Sequence, residues 1–219
     1  MTRQLKFGRK AALSGKTRSM LVFLHGYGAN GADLLGLADV LAPHLPDTVF
    51  LAPDAPGRIA GMPFGLQWFS IPRFDGSSQA EAAAGLAEAN DDVNAFLDQN
   101  LAAEGVSDAS LAVLGFSQGA MMALHTAPRR AKTMAGVVAI SGRLIRPEKL
   151  AAEARVKPPV LILHGDRDEV VPFGEMKIAG EALTAAGFAT YGHVMQGTGH
   201  GIAPDGVSAA LGFLTERLG

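Results

Sequence analysis

Short apolar runs alternate along this chain with longer stretches in which apolar and polar residues recur at helical spacing. The runs at 20–26 (MLVFLHG), 48–54 (TVFLAPD), 110–116 (SLAVLGF), 135–141 (AGVVAIS) and 159–165 (PVLILHG) are each bounded by Gly, Pro or Asp. None alternates in and out, which is the signature of strands covered by helices on both sheet faces. Residues 189–195 (ATYGHVM) form a sixth expected strand. Helical patterns fill the spaces between, at about 33–41, 78–103, 117–127, 173–186 and 204–218. The longest begins where Ser78 and Glu81 have capping-box spacing. Strand–helix alternation of this kind predicts an α/β architecture around a mostly parallel sheet. With no internal repeat, low-complexity tract or linker in sight, residues 1–219 are expected to form one domain.

One segment breaks the rhythm. Residues 53–77 (PDAPGRIAGMPFGLQWFSIPRFDGS) hold four prolines, the single tryptophan and three phenylalanines. A connection this long inside a compact domain is usually functional or disordered, and a disordered loop seldom carries so many aromatics. These rings either patch the core or wall an apolar pocket. We take Phe64, Trp68 and Phe74 as candidate pocket residues.

Composition narrows the function. Of 219 residues, 48% are hydrophobic and 18% charged, which suits a well-buried core. A net charge of −2 offers no basic face for nucleic acid. No apolar run approaches the roughly 20 residues that span a bilayer, and the basic N-terminal stretch lacks the apolar middle of a signal peptide. The expected compartment is therefore the cytoplasm, without stable membrane insertion. The absence of cysteine excludes disulfides and thiolate catalysis.

The sharpest motif is GFSQG, Gly115 to Gly119, which follows an expected strand and opens an expected helix. G-x-S-x-G in this context forms a tight strand-to-helix turn that exposes a serine Oγ. It also leaves the backbone amide of Gln118 at a helix N-terminus, where a developing oxyanion is stabilised. Serine needs a base, and in this arrangement the partners follow it in the order acid, then histidine. Among six histidines, His25 and His44 precede the serine. His125 lies two turns along the serine's own helix, His164 ends a strand beside a turn, and His193 falls mid-strand. His200, in a glycine-flanked loop after the last strand, is free to reach Ser117. For the carboxylate, LHGDRDEVVPFG offers Asp166, Asp168 and Glu169, and spacing does not choose among them.

The first strand is followed by LHGYGANGADL, whose Gly26, Gly28 and Gly31 read as G-x-G-x-x-G. A dinucleotide site would need an acidic residue about 20 positions on, at a strand end. Asp54 is further away and sits beside Pro53. A second oxyanion amide, from Tyr27, is the better use for this loop.

Together FLHGYGANGADL, QWF, LGFSQGAMMAL, HGDRDEVVPF and GTGHGI, falling in order from about Ser19 to Leu218, resemble the phospholipase/carboxylesterase family of α/β-hydrolases. The resemblance implies the α/β-hydrolase fold and a nucleophile at Ser117. It implies a base at His200 and a triad carboxylate at Asp168, the second aspartate of HGDRD. It matches Tyr27 and Gln118 to the oxyanion amides and requires no metal or cofactor. The chain departs from the thioesterase pattern GFSQGG at Ala120, and its connection after Trp68 differs too. The expected activity is thus a carboxylesterase acting on small acyl esters or thioesters, with the acyl chain received by the 53–77 loop, Val171 and Pro172. Alternatives are an acyl thioesterase or lysophospholipase with the same triad, or a catalytically inactive binding protein on this fold. Homodimers are common in the family.

Overall fold

The computed structural model describes residues 2–219. Its centre is a seven-stranded sheet in the order β1-β3-β2-β6-β7-β8-β9. The strands are β1 (Phe7–Lys10), β2 (Ser19–Leu24), β3 (Thr48–Pro53), β6 (Leu111–Phe116), β7 (Gly136–Ile140), β8 (Val160–Gly165) and β9 (Thr190–Met195). All neighbours pair in parallel except β1, which lies antiparallel on β3. This is the α/β-hydrolase architecture. The six strands expected from apolar runs are all present. β1 is the addition. It has four residues alternating between exposed and half-buried, too short and too polar to stand out.

Residue parity explains the layers. Along β2, Met20, Val22 and Leu24 enter one buried cluster, while Leu21 and Phe23 enter the other. Along β6, Leu111 and Val113 divide from Ala112 and Leu114 in the same way. Both faces are apolar because helices cover both. One face takes α4 (Gln79–Glu104), α5 (Gln118–Thr126) and α7 (Gly174–Ala185), and the other takes α8 (Pro204–Leu218) with two short helices.

Those two, α1 (Gly31–Leu35) and α2 (Ala38–Leu41), replace the single helix expected over 33–41; the break falls at Gly36 and Leu37. α4 begins as its capping box predicts. The Glu81 amide donates to Ser78 Oγ at 3.1 Å, and the Ser78 amide donates to the Glu81 carboxylate at 2.7 Å. A further short helix, α6 (Leu150–Glu153), escaped the sequence pattern.

The 53–77 segment is more ordered than a long loop. It folds into a two-stranded hairpin of β4 (Gly57–Ile59) and β5 (Met62–Gln67), followed by α3 (Pro72–Asp75). Its hidden periodicity has a simple cause: the strands are short, separated by Gly61, interrupted by Pro63 and Gly65, and buried only at Gly65.

The topology also locates the site. From β2 the chain turns to β3 on one side, and from β6 it proceeds through β7, β8 and β9 on the other. Where strand order reverses, successive loops diverge beyond the strand carboxyl ends and leave a crevice. The β2 and β6 loops, carrying Tyr27 and Ser117, flank that reversal.

Candidate active site

Ser117 lies between β6 and α5 with φ 53° and ψ −117°, a backbone conformation that a side chain adopts only under constraint. Its neighbours supply the constraint. A Cβ on Gly119 would lie 1.8 Å from the Leu24 carbonyl oxygen, and one on Gly115 would lie 2.3 Å from the Gly119 oxygen. Only glycine lets α5 start so close to β2. The Ser117 amide donates to the Ile140 carbonyl at 2.8 Å, pinning the turn to β7.

Three side chains from three loops meet there. His200 Nε2 lies 2.9 Å from Ser117 Oγ, and His200 Nδ1 lies 2.7 Å from Asp168 Oδ2. Phe116 packs against the imidazole with ring centroids 4.9 Å apart. Burial alone would raise the Asp168 carboxyl. The bonds from His200 and from the amides of Val171 and Val170 outweigh it and hold the carboxyl below the usual range. An ionised Asp168 accepts a proton-bearing Nδ1, which leaves Nε2 with the lone pair that faces the serine hydroxyl.

The remaining carboxylates of HGDRDE fall apart from this group. Asp166 Oδ1 accepts from the Gly197 amide at 2.7 Å and ties the turn after β8 to the loop that carries His200. Asp166 does not serve the amides of its own turn. That task belongs to Asp168 Oδ1, which accepts from Val170 and Val171 at 2.9 Å each. Glu169 is exposed. His164 is buried and bonds the Val171 carbonyl at 2.9 Å, bracing the same turn.

Two backbone amides near Ser117, those of Tyr27 and Gln118, have no acceptor among the described residues. A Cβ on Gly26 would lie 3.3 Å from Ser117 Cβ, so the HGYG loop runs directly beside the serine. Free amides in the two loops beside a serine suit a tetrahedral alkoxide. The dinucleotide alternative has no support here: Asp54 is occupied as an acceptor for the Gly31 amide at 2.9 Å.

The candidate pocket residues separate. Trp68 is 2% exposed and its indole N–H donates to the His25 carbonyl at 2.9 Å, so it is a core residue and not a pocket wall. Val171 is buried too, its main chain engaged by Asp168 and His164. Pro172 is exposed. Phe74, 51% exposed, packs tilted against Tyr27 with ring centroids 5.5 Å apart and carries Arg73 over its face at 4.5 Å. Arg73 in turn donates to the Val170 carbonyl at 2.8 Å, spanning from α3 to the Asp168 turn. Phe64, at 86% exposure on β5, projects from the hairpin into solvent.

Sequence reasoning passed over His25. It is fully buried, with Nδ1 2.8 Å from the Gly26 carbonyl and Nε2 accepting from the Ala55 amide at 2.9 Å. Its one visible signal was a polar residue closing an apolar strand just before the glycine loop.

The architecture and the serine-bearing elbow define an α/β-hydrolase, and comparison with known proteins agrees. The phospholipase/carboxylesterase family model matches residues 11–218, and the chain belongs to that family. It is a serine hydrolase. A solved structure of esterase PE8 is 41% identical, with a TM-score of 0.93, covering 99% of this chain and 100% of that one. A probable carboxylesterase of Oryza sativa subsp. japonica is 31% identical, covering 95% of this chain and 81% of its own. Acyl-protein thioesterase 1 of Saccharomyces cerevisiae is 29% identical, covering 96% and 97% respectively. Among the described residues, no helix is long and apolar enough to cross a membrane, and no group of three His, Asp or Glu side chains is placed to hold a metal ion.

Proposed function

We propose that this protein is a serine carboxylesterase that hydrolyses short- to medium-chain acyl esters through an acyl-enzyme on Ser117. The observation that carries the reading is the unbroken relay from Asp168 through His200 to Ser117, at 2.7 and 2.9 Å. Ser117 Oγ attacks the acyl carbonyl while His200 Nε2 takes its proton. The carbonyl oxygen becomes an alkoxide held by the amides of Tyr27 and Gln118. His200 then returns the proton to the leaving alcohol, and a water molecule repeats the sequence to release the acid. Asp168 keeps the imidazole in the required tautomer and balances its transient charge. Each proton removed is returned within one cycle, so no metal or cofactor is called for.

Phe74 is the wall residue favoured for the acyl chain, since it touches Tyr27 beside the alkoxide site. A thioester passes through the same steps with a thiol as leaving group, and the similarity to a named acyl-protein thioesterase keeps that substrate class in view. Steady-state hydrolysis of matched oxygen esters and thioesters of increasing chain length, by wild type and Ser117→Ala, tests the reading. Loss of a triad nucleophile removes on the order of 10⁶ in turnover. A Ser117→Ala protein that keeps a tenth of wild-type turnover would rule the assignment out.

A further inference from the structure

We propose that His25 is a positioning residue that fixes the Gly26–Tyr27 peptide so that the Tyr27 amide faces the reacting oxygen; the proposal rests on the triad reading above. The hydrogen-bond chemistry leaves one arrangement. The Ala55 amide can only donate, so His25 Nε2, 2.9 Å away, accepts and carries no proton. The ring proton therefore sits on Nδ1, which donates to the Gly26 carbonyl at 2.8 Å. Burial lowers the imidazole's affinity for a second proton and keeps this neutral tautomer.

In a trans peptide the C=O and the following N–H point in opposite directions. Holding the Gly26 oxygen toward His25 thus turns the Tyr27 N–H the other way. That N–H has no acceptor among the described residues, and its loop passes beside Ser117. Glycine at 26 brings the loop close and also leaves it free to rotate, so something else must set the plane. The Ala29 amide donates to the Gly26 oxygen at 3.3 Å, and His25, at 2.8 Å, is the side chain placed to fix it.

The same ring belongs to a larger brace. Trp68 packs on His25 with ring centroids 5.3 Å apart, and its indole N–H donates to the His25 carbonyl. The Trp68 amide donates to Gln118 Oε1 at 2.9 Å, and Gln118 Nε2 donates to the Phe69 carbonyl at 2.7 Å. Gln118 offers the second free amide. One continuous network therefore joins the two peptides proposed to hold the alkoxide, and Trp68, expected in the pocket, belongs to it.

Two substitutions divide His25's bonds. Asparagine puts an N–H near the position of Nδ1 and keeps the Gly26 bond while losing Ala55. Glutamine puts an oxygen near Nε2, keeping Ala55 while losing Gly26. Kinetics on a 4-nitrophenyl acyl ester, inhibition by a trifluoromethyl ketone and thermal midpoints are compared for wild type, His25→Asn and His25→Gln. The proposal expects His25→Asn to stay within about fivefold of wild-type kcat. It expects His25→Gln to lose kcat by on the order of 10²-fold at unchanged KM, the scale of losing one oxyanion donor. Ketone affinity, which depends on the tetrahedral adduct, should fall in parallel, and the two variants should melt at similar temperatures. Equal losses in both variants tracking their melting temperatures would overturn the proposal, as would a more active His25→Gln or a defect confined to KM. Failure of the triad reading shows itself separately, as a Ser117→Ala protein that retains hydrolysis, and removes this proposal with it.

Discussion

Asp168 uses both carboxylate oxygens, Oδ1 for the Val170 and Val171 amides and Oδ2 for His200. Asparagine keeps one oxygen and can still accept from the two amides, but it turns an NH₂ toward His200 Nδ1 and favours the wrong tautomer. Asp168→Asn should therefore lower turnover by about 10⁴, the cost of the equivalent change in a serine protease, with little change in melting temperature. Asp166 is different, because its bond to the Gly197 amide serves loop placement. Asp166→Ala should destabilise the fold by about 1 kcal/mol in urea unfolding and lower kcat only modestly. If turnover collapses in Asp166→Ala and survives in Asp168→Asn, the carboxylate has been misassigned. The meeting of Ser117 with His200 was legible from motif, order and loop context. The choice between the two aspartates was not, since both follow Gly165 closely and only the folded turn shows which oxygen meets which loop.

Elements differ in how openly the sequence declares them. β2, β3, β6, β7 and β8 are buried on both faces and read as continuous apolar runs. α4 announces its start through a capping box whose loss, in Ser78→Ala, should cost about 1 kcal/mol of stability. The β4–β5 hairpin stayed hidden because only Gly65 is buried along it, too little to impose a period; it is anchored by main-chain bonds from Gly28 to Leu66 and from Leu66 to Ala29. Its exposed Phe64 packs on nothing that stability requires, so Phe64→Ala should leave the melting temperature unchanged. Phe74→Ala should instead shift kcat/KM between short and longer acyl esters; a uniform loss at every chain length would remove Phe74 from the pocket. The elbow tolerates less. Gly119→Ala drives a methyl into the Leu24 carbonyl, and should cost about 3 kcal/mol or more, seen as loss of folded protein at 37 °C.

For the whole molecule, the buried histidines give stability a pH dependence. Burial, with the Arg129 guanidinium nearby, pushes His125 down to about 4 from an ordinary 6.5, and burial lowers His25 as well. Their folded pKa values lie below the unfolded ones, so the unfolded chain binds protons first. Stability is then fullest above about pH 6.5 and falls as pH drops from there toward 4. For His125, discounted for its partial exposure to solvent, the loss should be on the order of 1–2 kcal/mol. Urea unfolding at pH 7.5 and 4.5 should show it, with a smaller difference in His125→Gln. An unchanged pH difference in that variant would contradict the assignment. Helices on both sheet faces, the reversal between β2 and β6, and loops converging beyond the strand ends were all implicit in the order of runs and motifs. The brace through His25, Trp68 and Gln118 was not, because its members lie 43 to 93 positions apart and meet only when the sheet forms.

The proposed activity requires Ser117 to be a nucleophile activated by His200. Intact-mass and peptide analysis after treatment with a fluorophosphonate tests it most directly. One adduct per chain is expected, located on Ser117, absent in Ser117→Ala and slowed by several orders of magnitude in His200→Ala. An adduct on another residue, or wild-type labelling rates without His200, would contradict it.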